Sequence, residues 1–224
     1  MDNSAPFVLI LGMHRSGTSC LAGALETCGL FLGEVRRTGT FNAKGYFELA
    51  SLVHLHDEIL AANRGAWQDP PDRIELSPRH RRQLQQVADF YSRFRPCALK
   101  DPRLTLMLEV WESLIGAPAR LVASFRHPVA VARSLASRNG ISETQAVELW
   151  QHYNSALVKR HQRDAFPLVE YDLRDRRDYV HNIASLASCL GLSPDREALQ
   201  SFVSEDLEHQ RALDIARRVT AIEK

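Results

Sequence analysis

The amino-acid sequence predicts an α/β fold of three layers, with a central parallel sheet flanked by helices. Three observations carry this. Short β-rich runs alternate with longer helical patterns along the chain, as in βαβ units. Most of those runs are almost continuously apolar, the signature of strands buried on both faces. Glycine-bearing or proline-bearing turns follow the strands at the points where a crossover helix would begin.

The first strand is Phe7–Leu11, and a helix is expected over Gly17–Cys28. Gly33–Tyr46 carries three glycines and no period, so it reads as a long loop. Phe47–Ala61 places Leu49, Leu52, Val53, His56, Ile59 and Leu60 at near-helical spacing. Pro78–Phe94 is a charge-rich helix, within a stretch from Asp72 to Arg95 that has six arginines against three acids and reads as a solvated face. Cys97–Lys100 is the second strand. Leu104–Ile115 is apolar nearly all round, which predicts a buried helix. Arg120–Phe125 is the third strand, followed by a helix over Pro128–Ser137 with proline at its first position. The long amphipathic Glu143–His161 precedes a fourth strand, Pro167–Tyr171. Helices over Tyr179–Leu190, Asp195–Phe202 and Asp206–Arg218 complete the chain.

At 224 residues the chain is expected to form one domain over 1–224, with residues 33–95 on the side of a second ligand. The net charge of +1 offers no general attraction to nucleic acid or to an acidic membrane, so an anion site must be local. The N-terminal run Pro6–Leu11 is too short for a secretory signal, and no apolar run approaches the ~18 residues of a membrane span, so a cytoplasmic location without membrane insertion is expected. Cys20, Cys28, Cys97 and Cys189 form no C-x-x-C pair and read as small buried hydrophobes, with no metal site.

Chemistry first surfaces in GMHRSGTS, Gly12 to Ser19. A strand, a glycine loop and a helix start turn backbone N–H groups toward an anion. The spacing is that of G-x-x-x-x-G-K-[ST], a P-loop-like pattern, but Thr18 stands where the lysine that reaches the β- and γ-phosphates of ATP belongs. The cation is Arg15, inside the loop. Asp101 is the obvious acid for a magnesium ion, and it is followed by Pro102 and Arg103.

Arg15-Ser16-Gly17-Thr18-Ser19 resembles the [KR]-S-G-T-[TS] loop of sulfotransferases that use 3′-phosphoadenosine 5′-phosphosulfate (PAPS). In that family an arginine at a strand end and a serine eight residues later bind the 3′-phosphate. Arg126 and Ser134 have this separation, with Pro128 between them. A guanidinium presents a fork to phosphate, and a hydroxyl on the following helix can complete the grip. Three shorter stretches are similar too. Tyr171-Asp172-Leu173 resembles the family's Y-E-D-L, with Asp172 in place of Glu. Leu99–Arg103 (LKDPR) resembles a K-D-P segment of bacterial and tyrosyl-protein members. Asn42–Glu48 (NAKGYFE) resembles a motif of small bacterial members. The resemblance spans Phe7 to Leu173, and Cys20 stands where many cytosolic members have a tryptophan that stacks on adenine.

The resemblance implies a transferase that needs no metal and passes a sulfuryl group from PAPS to a hydroxyl or amine, leaving adenosine 3′,5′-bisphosphate. It implies a nucleotide site of His14, Arg15, Ser16, Gly17, Thr18, Ser19, Arg126, Ser134 and Tyr171. Arg15 and Lys100 are the expected cations near the transferring group, and Glu48, opening a helix, is the expected base, with His54 and His56 as alternatives. For Lys100 a salt bridge to Asp101 or to a nearby acid is the competing role. The acceptor class left open is a small molecule or carbohydrate. Two other readings stay open: an ATP-dependent small-molecule kinase with a variant loop, and a nucleotide-binding module without turnover.

Overall fold

The computed structural model describes residues 5–38, 45–115, 118–172 and 175–203. The four expected strands are β1 (Phe7–Leu11), β2 (Cys97–Lys100), β3 (Arg120–Phe125) and β4 (Leu168–Glu170). All pair in parallel, in the order β2-β1-β3-β4. Around them lie α1 (Thr18–Thr27), α2 (Ala50–Ala62), α3 (Pro78–Tyr91), α4 (Leu108–Ile115), α5 (Pro128–Asn139), α6 (Glu143–Asp164) and α7 (Arg176–Cys189), with residues 196–203 helical as well. The helix expected over Asp206–Arg218 lies outside the described residues.

Side chains of a strand alternate between faces, and here both faces are apolar, which is why the strands read as continuous hydrophobic runs. Val8, Ile10, Ala98, Val122 and Val169 pack with α1 and α7 on one side. Phe7, Leu9, Leu11, Leu99, Leu121 and Ala123 pack with α2, α3 and α4 on the other. A third cluster, from Met13 through Val131 and Leu135 to Leu149 and Tyr153, ties α5 and α6 beneath the first loop. The chain therefore has the three layers that the sequence implies.

Several helix bounds shift by about one turn from the sequence reading, and two of the departures have a clear cause. The segment expected as one helix from Leu104 is a 3₁₀ turn, Pro102–Thr105, followed by α4 from Leu108. Asp101 causes the break, because its carboxylate accepts the Arg103 N–H and closes a tight turn at Pro102. The helix expected from Phe47 begins at Ala50. Tyr46 N–H and Phe47 N–H both donate to Arg36 O, and Arg36 N–H donates to Glu48 O, so these residues pair with the preceding loop instead. Glu48 thus precedes the helix rather than opening it.

Candidate active site

Strand order places the site. The chain leaves β1 for β2 on one side and then crosses to β3 on the other, so β1 and β3 flank the point where the winding reverses. Crevices outside the carboxyl ends of strands at such points bind ligands. Gly12–Gly17 leaves β1 there, and Arg126–His127 leaves β3.

The loop after β1 is held by close approach and by hydrogen bonds. Gly12 has φ +132°, and a Cβ on it would lie 2.5 Å from Ser124 O. Its N–H donates to Thr105 Oγ1 at 3.0 Å. Gly17 has φ +86°, and a Cβ there would come within 2.2 Å of the Tyr171 ring. Between them Arg15 also adopts a left-handed backbone, with φ 67°. Ser124 Oγ donates to Ser16 O at 2.5 Å, while Ser16 Oγ is buried without a hydrogen-bond partner among the described residues. Among the described residues no side chain caps α1, and the start of such a helix is a place where backbone N–H groups can meet an anion.

Two arginines meet at this loop. Arg15 Nε donates to Ser134 Oγ at 2.8 Å, joining the loop after β1 to α5 across 119 residues of sequence. Arg126 Nε donates to Asp172 Oδ1 at 2.9 Å and its Nη1 to Arg15 O at 3.2 Å. The Arg126 guanidinium lies over the Tyr171 ring, 5.2 Å from its centroid. Trp150 Nε1 donates to Arg126 O, anchoring the same residue from α6.

Beside this arrangement sits a second cluster. Lys100, at the end of β2, has three ammonium donors and three acceptors: Ser19 Oγ at 3.1 Å, Tyr46 O at 2.9 Å and Glu48 Oε1 at 2.6 Å. Its side chain is 2% exposed and that of Glu48 16%. Of the acids expected to compete for Lys100, the one it pairs with is the nearby Glu48 and not Asp101. Asp101 is buried between Arg103 and His56, and Arg103 also forks onto Asp57 at 2.7 and 3.2 Å.

The structure brings Arg15, Ser16, Gly17, Thr18, Ser19, Arg126, Ser134 and Tyr171 to one rim, with Lys100 and Glu48 next to them. His14 packs against Trp67 at 4.2 Å between ring centroids and edge-on to Tyr153. Burial, and then the Arg103 charge, push its imidazole well below the ordinary value of 6.5, so it is neutral at pH 7. Cys20 is 2% exposed and faces the core from α1. His54 is exposed beside Glu58, and both ring nitrogens of His56 are engaged, one with Asp101 and one with Trp111. Asn42–Lys44 lie outside the described residues.

The solved structure "Sulfotransferase Domain from the Synechococcus PCC 7002 Olefin Synthase" is similar to this chain, with a TM-score of 0.53 and 20% identity over 87% of this chain and 75% of that one. The two share a P-loop-like α/β fold. No protein-family model matches the chain, and no curated protein sequence matches it.

Two residues of the site have no role in the sequence reading. Thr105 holds Gly12 from 93 residues away and gives no local signal. Asp172 pairs with Arg126, and only its place directly after Tyr171 could have pointed to it. Among the described residues no helix is long and apolar enough to cross a membrane, and no group of three or more His, Cys, Asp or Glu is placed to hold a metal ion.

Proposed function

We propose that this chain is a sulfotransferase that moves a sulfuryl group from PAPS to a hydroxyl or amine of a small-molecule or carbohydrate acceptor. The observation that carries the reading is the Arg15–Ser134 hydrogen bond. It brings a loop arginine and an α5 serine together beside Arg126 at the β1–β3 crevice, while Thr18 in the lysine position is buried. The residues fit a donor with two anionic ends. One end has the start of α1 and Ser16 Oγ, the first uncapped and the second unpartnered among the described residues. The other has Arg126, which keeps both Nη2 hydrogens without an acceptor among the described residues, and Ser134.

The donor supplies an activated sulfuryl group on a phosphate leaving group. The backbone N–H groups at the start of α1 and the Arg15 guanidinium stabilise negative charge on the phosphate side. Arg126 and Ser134 hold the 3′-phosphate, fixing the nucleotide's register. Glu48 accepts the acceptor's proton, and Lys100 holds the Glu48 carboxylate toward the rim. Residues 33–95 shape the acceptor side.

Thermal unfolding with adenosine 3′,5′-bisphosphate and, separately, with Mg·ATP tests the reading. A ligand at 100 times its Kd stabilises the native state by about 2.7 kcal/mol, which in a chain of this size raises Tm by roughly 5–10 °C. The expected result is a shift with the bisphosphate that disappears in Arg126→Ala and is absent with Mg·ATP. A shift with Mg·ATP alone would overturn the reading in favour of a kinase. Tight bisphosphate binding with no turnover of PAPS across a broad acceptor panel would leave a binding module.

A further inference from the structure

Arg126 is held on three sides, and the residue that does most of the holding is Asp172. One carboxylate oxygen takes the Arg126 Nε–H at 2.9 Å, and the other takes the backbone N–H of His127, at the start of α5, at 3.1 Å. The carboxylate therefore ties the arginine side chain to the backbone that follows it. Asp172 is itself fixed, because Tyr171 N–H donates to Phe125 O at 2.8 Å and extends the β3–β4 pairing up to its neighbour. Arg15 O takes an Nη1 hydrogen, and the Tyr171 ring lies against the guanidinium plane.

A carboxylate beside an arginine can do one of two things. It can fill the fork that a phosphate would use, or it can orient that fork. The atoms decide between them. A competitor would take the two terminal nitrogens together, the end-on geometry of a phosphate. Asp172 takes Nε and spends its second oxygen on a backbone N–H. Both Nη2 hydrogens and one on Nη1 stay without an acceptor among the described residues. Asp172 therefore uses the inner edge of the guanidinium and leaves its outer end for a ligand. An arginine side chain has several rotatable bonds, and an aimed fork loses less freedom when it binds.

We propose that Asp172 is a positioning residue that aims Arg126, and that it thereby sets the preference for a nucleotide carrying a 3′-phosphate. The inference rests on the sulfotransferase reading above and adds to it the residue behind donor selectivity. Asp172→Asn is the test variant. It preserves size but leaves one acceptor oxygen, so Arg126 Nε–H and His127 N–H cannot both be satisfied.

The measurement is calorimetric binding of adenosine 3′,5′-bisphosphate and of adenosine 5′-monophosphate to the wild-type protein and the variant. The wild type is expected to prefer the bisphosphate. In Asp172→Asn that preference should fall about tenfold, the low end of what one charge-assisted hydrogen bond is worth, with monophosphate binding little changed. Asp172→Glu, which keeps the carboxylate one methylene further out, should recover part of the preference. A general loosening of the fold would weaken both nucleotides alike and leave the ratio unmoved. An unchanged ratio, or tighter bisphosphate binding in Asp172→Asn, overturns the inference while leaving the sulfotransferase reading standing. Failure of the wild type to bind either nucleotide overturns that reading, and this inference with it.

Discussion

Lys100 Nζ lies 2.6 Å from Glu48 Oε1, and its two other hydrogens go to Ser19 Oγ and Tyr46 O. The contact joins the end of β2, the start of α1 and the segment before α2 at one point. A buried ammonium with three acceptors is satisfied, so its charge is tolerated inside the protein. Glu48 keeps a little access to solvent, which a group that receives a proton from a substrate needs.

From this pair we expect Glu48→Gln to bind adenosine 3′,5′-bisphosphate as the wild type does but to turn over PAPS about 10²–10⁴-fold more slowly, the usual cost of losing a general base. Release of the bisphosphate from PAPS, with phenols, amino alcohols and sugars as acceptors, reads this out. Wild-type turnover in Glu48→Gln would remove Glu48 from the chemistry. Lys100→Met should cost about 1–3 kcal/mol in urea unfolding, because the Glu48 carboxylate loses its partner yet still reaches water.

A second expectation concerns Thr105. Its hydroxyl accepts the Gly12 N–H at 3.0 Å, and both residues are buried. Valine is close to threonine in shape but lacks the acceptor. Thr105→Val should therefore strand a buried backbone donor, at a cost of about 1–3 kcal/mol, and loosen the loop that faces the nucleotide. Weaker bisphosphate binding and a lower urea midpoint are expected together, with Thr105→Ser close to wild type. A valine variant that matches the wild type in both would mean that Gly12 is held by its surroundings alone.

The contrast between Arg15 and Thr105 shows what a sequence can disclose. Arg15 sits in a local pattern, a strand, two glycines five apart and a helix start, so its place at the rim follows from spacing. The strands were legible for a similar reason, because apolar side chains on both faces leave a continuous run. Thr105 acts across 93 residues through one hydrogen bond, and no periodicity marks it. The start of α2 was misplaced for the same physical reason. Helical spacing runs back to Phe47, but the N–H groups of Tyr46 and Phe47 find Arg36 O instead, a partner that only the folded loop supplies. The pairing of Lys100 with Glu48 and of Asp101 with His56 was equally hidden, since nothing local selects among the acids near a lysine.

Asp101 supplies the expected pH dependence. Its side chain is fully buried, accepting from His56 Nδ1 at 2.7 Å, from Arg103 Nη1 at 2.9 Å and from Arg103 N–H at 3.0 Å. Trp111 Nε1 donates to His56 Nε2 at 3.0 Å, and an indole N–H can only donate, so the His56 proton facing Asp101 is on Nδ1. Burial alone would raise the carboxyl. The hydrogen bond from His56 and the Arg103 guanidinium outweigh it and hold the group well below its ordinary value of 3.8. A carboxyl depressed in the folded state binds protons more weakly there than in the unfolded chain. Its contribution to stability is therefore complete above pH ~4 and is lost as the pH falls below that toward the folded value. Asp101→Asn removes the charge and leaves Arg103 with Asp57 as its remaining acid. We expect it to cost about 3 kcal/mol at pH 7, as breaking a buried pair does, and to fall less steeply than the wild type between pH 4 and pH 2.5. Urea unfolding across that range decides the matter, since two parallel acid limbs would show that Asp101 does not titrate with folding.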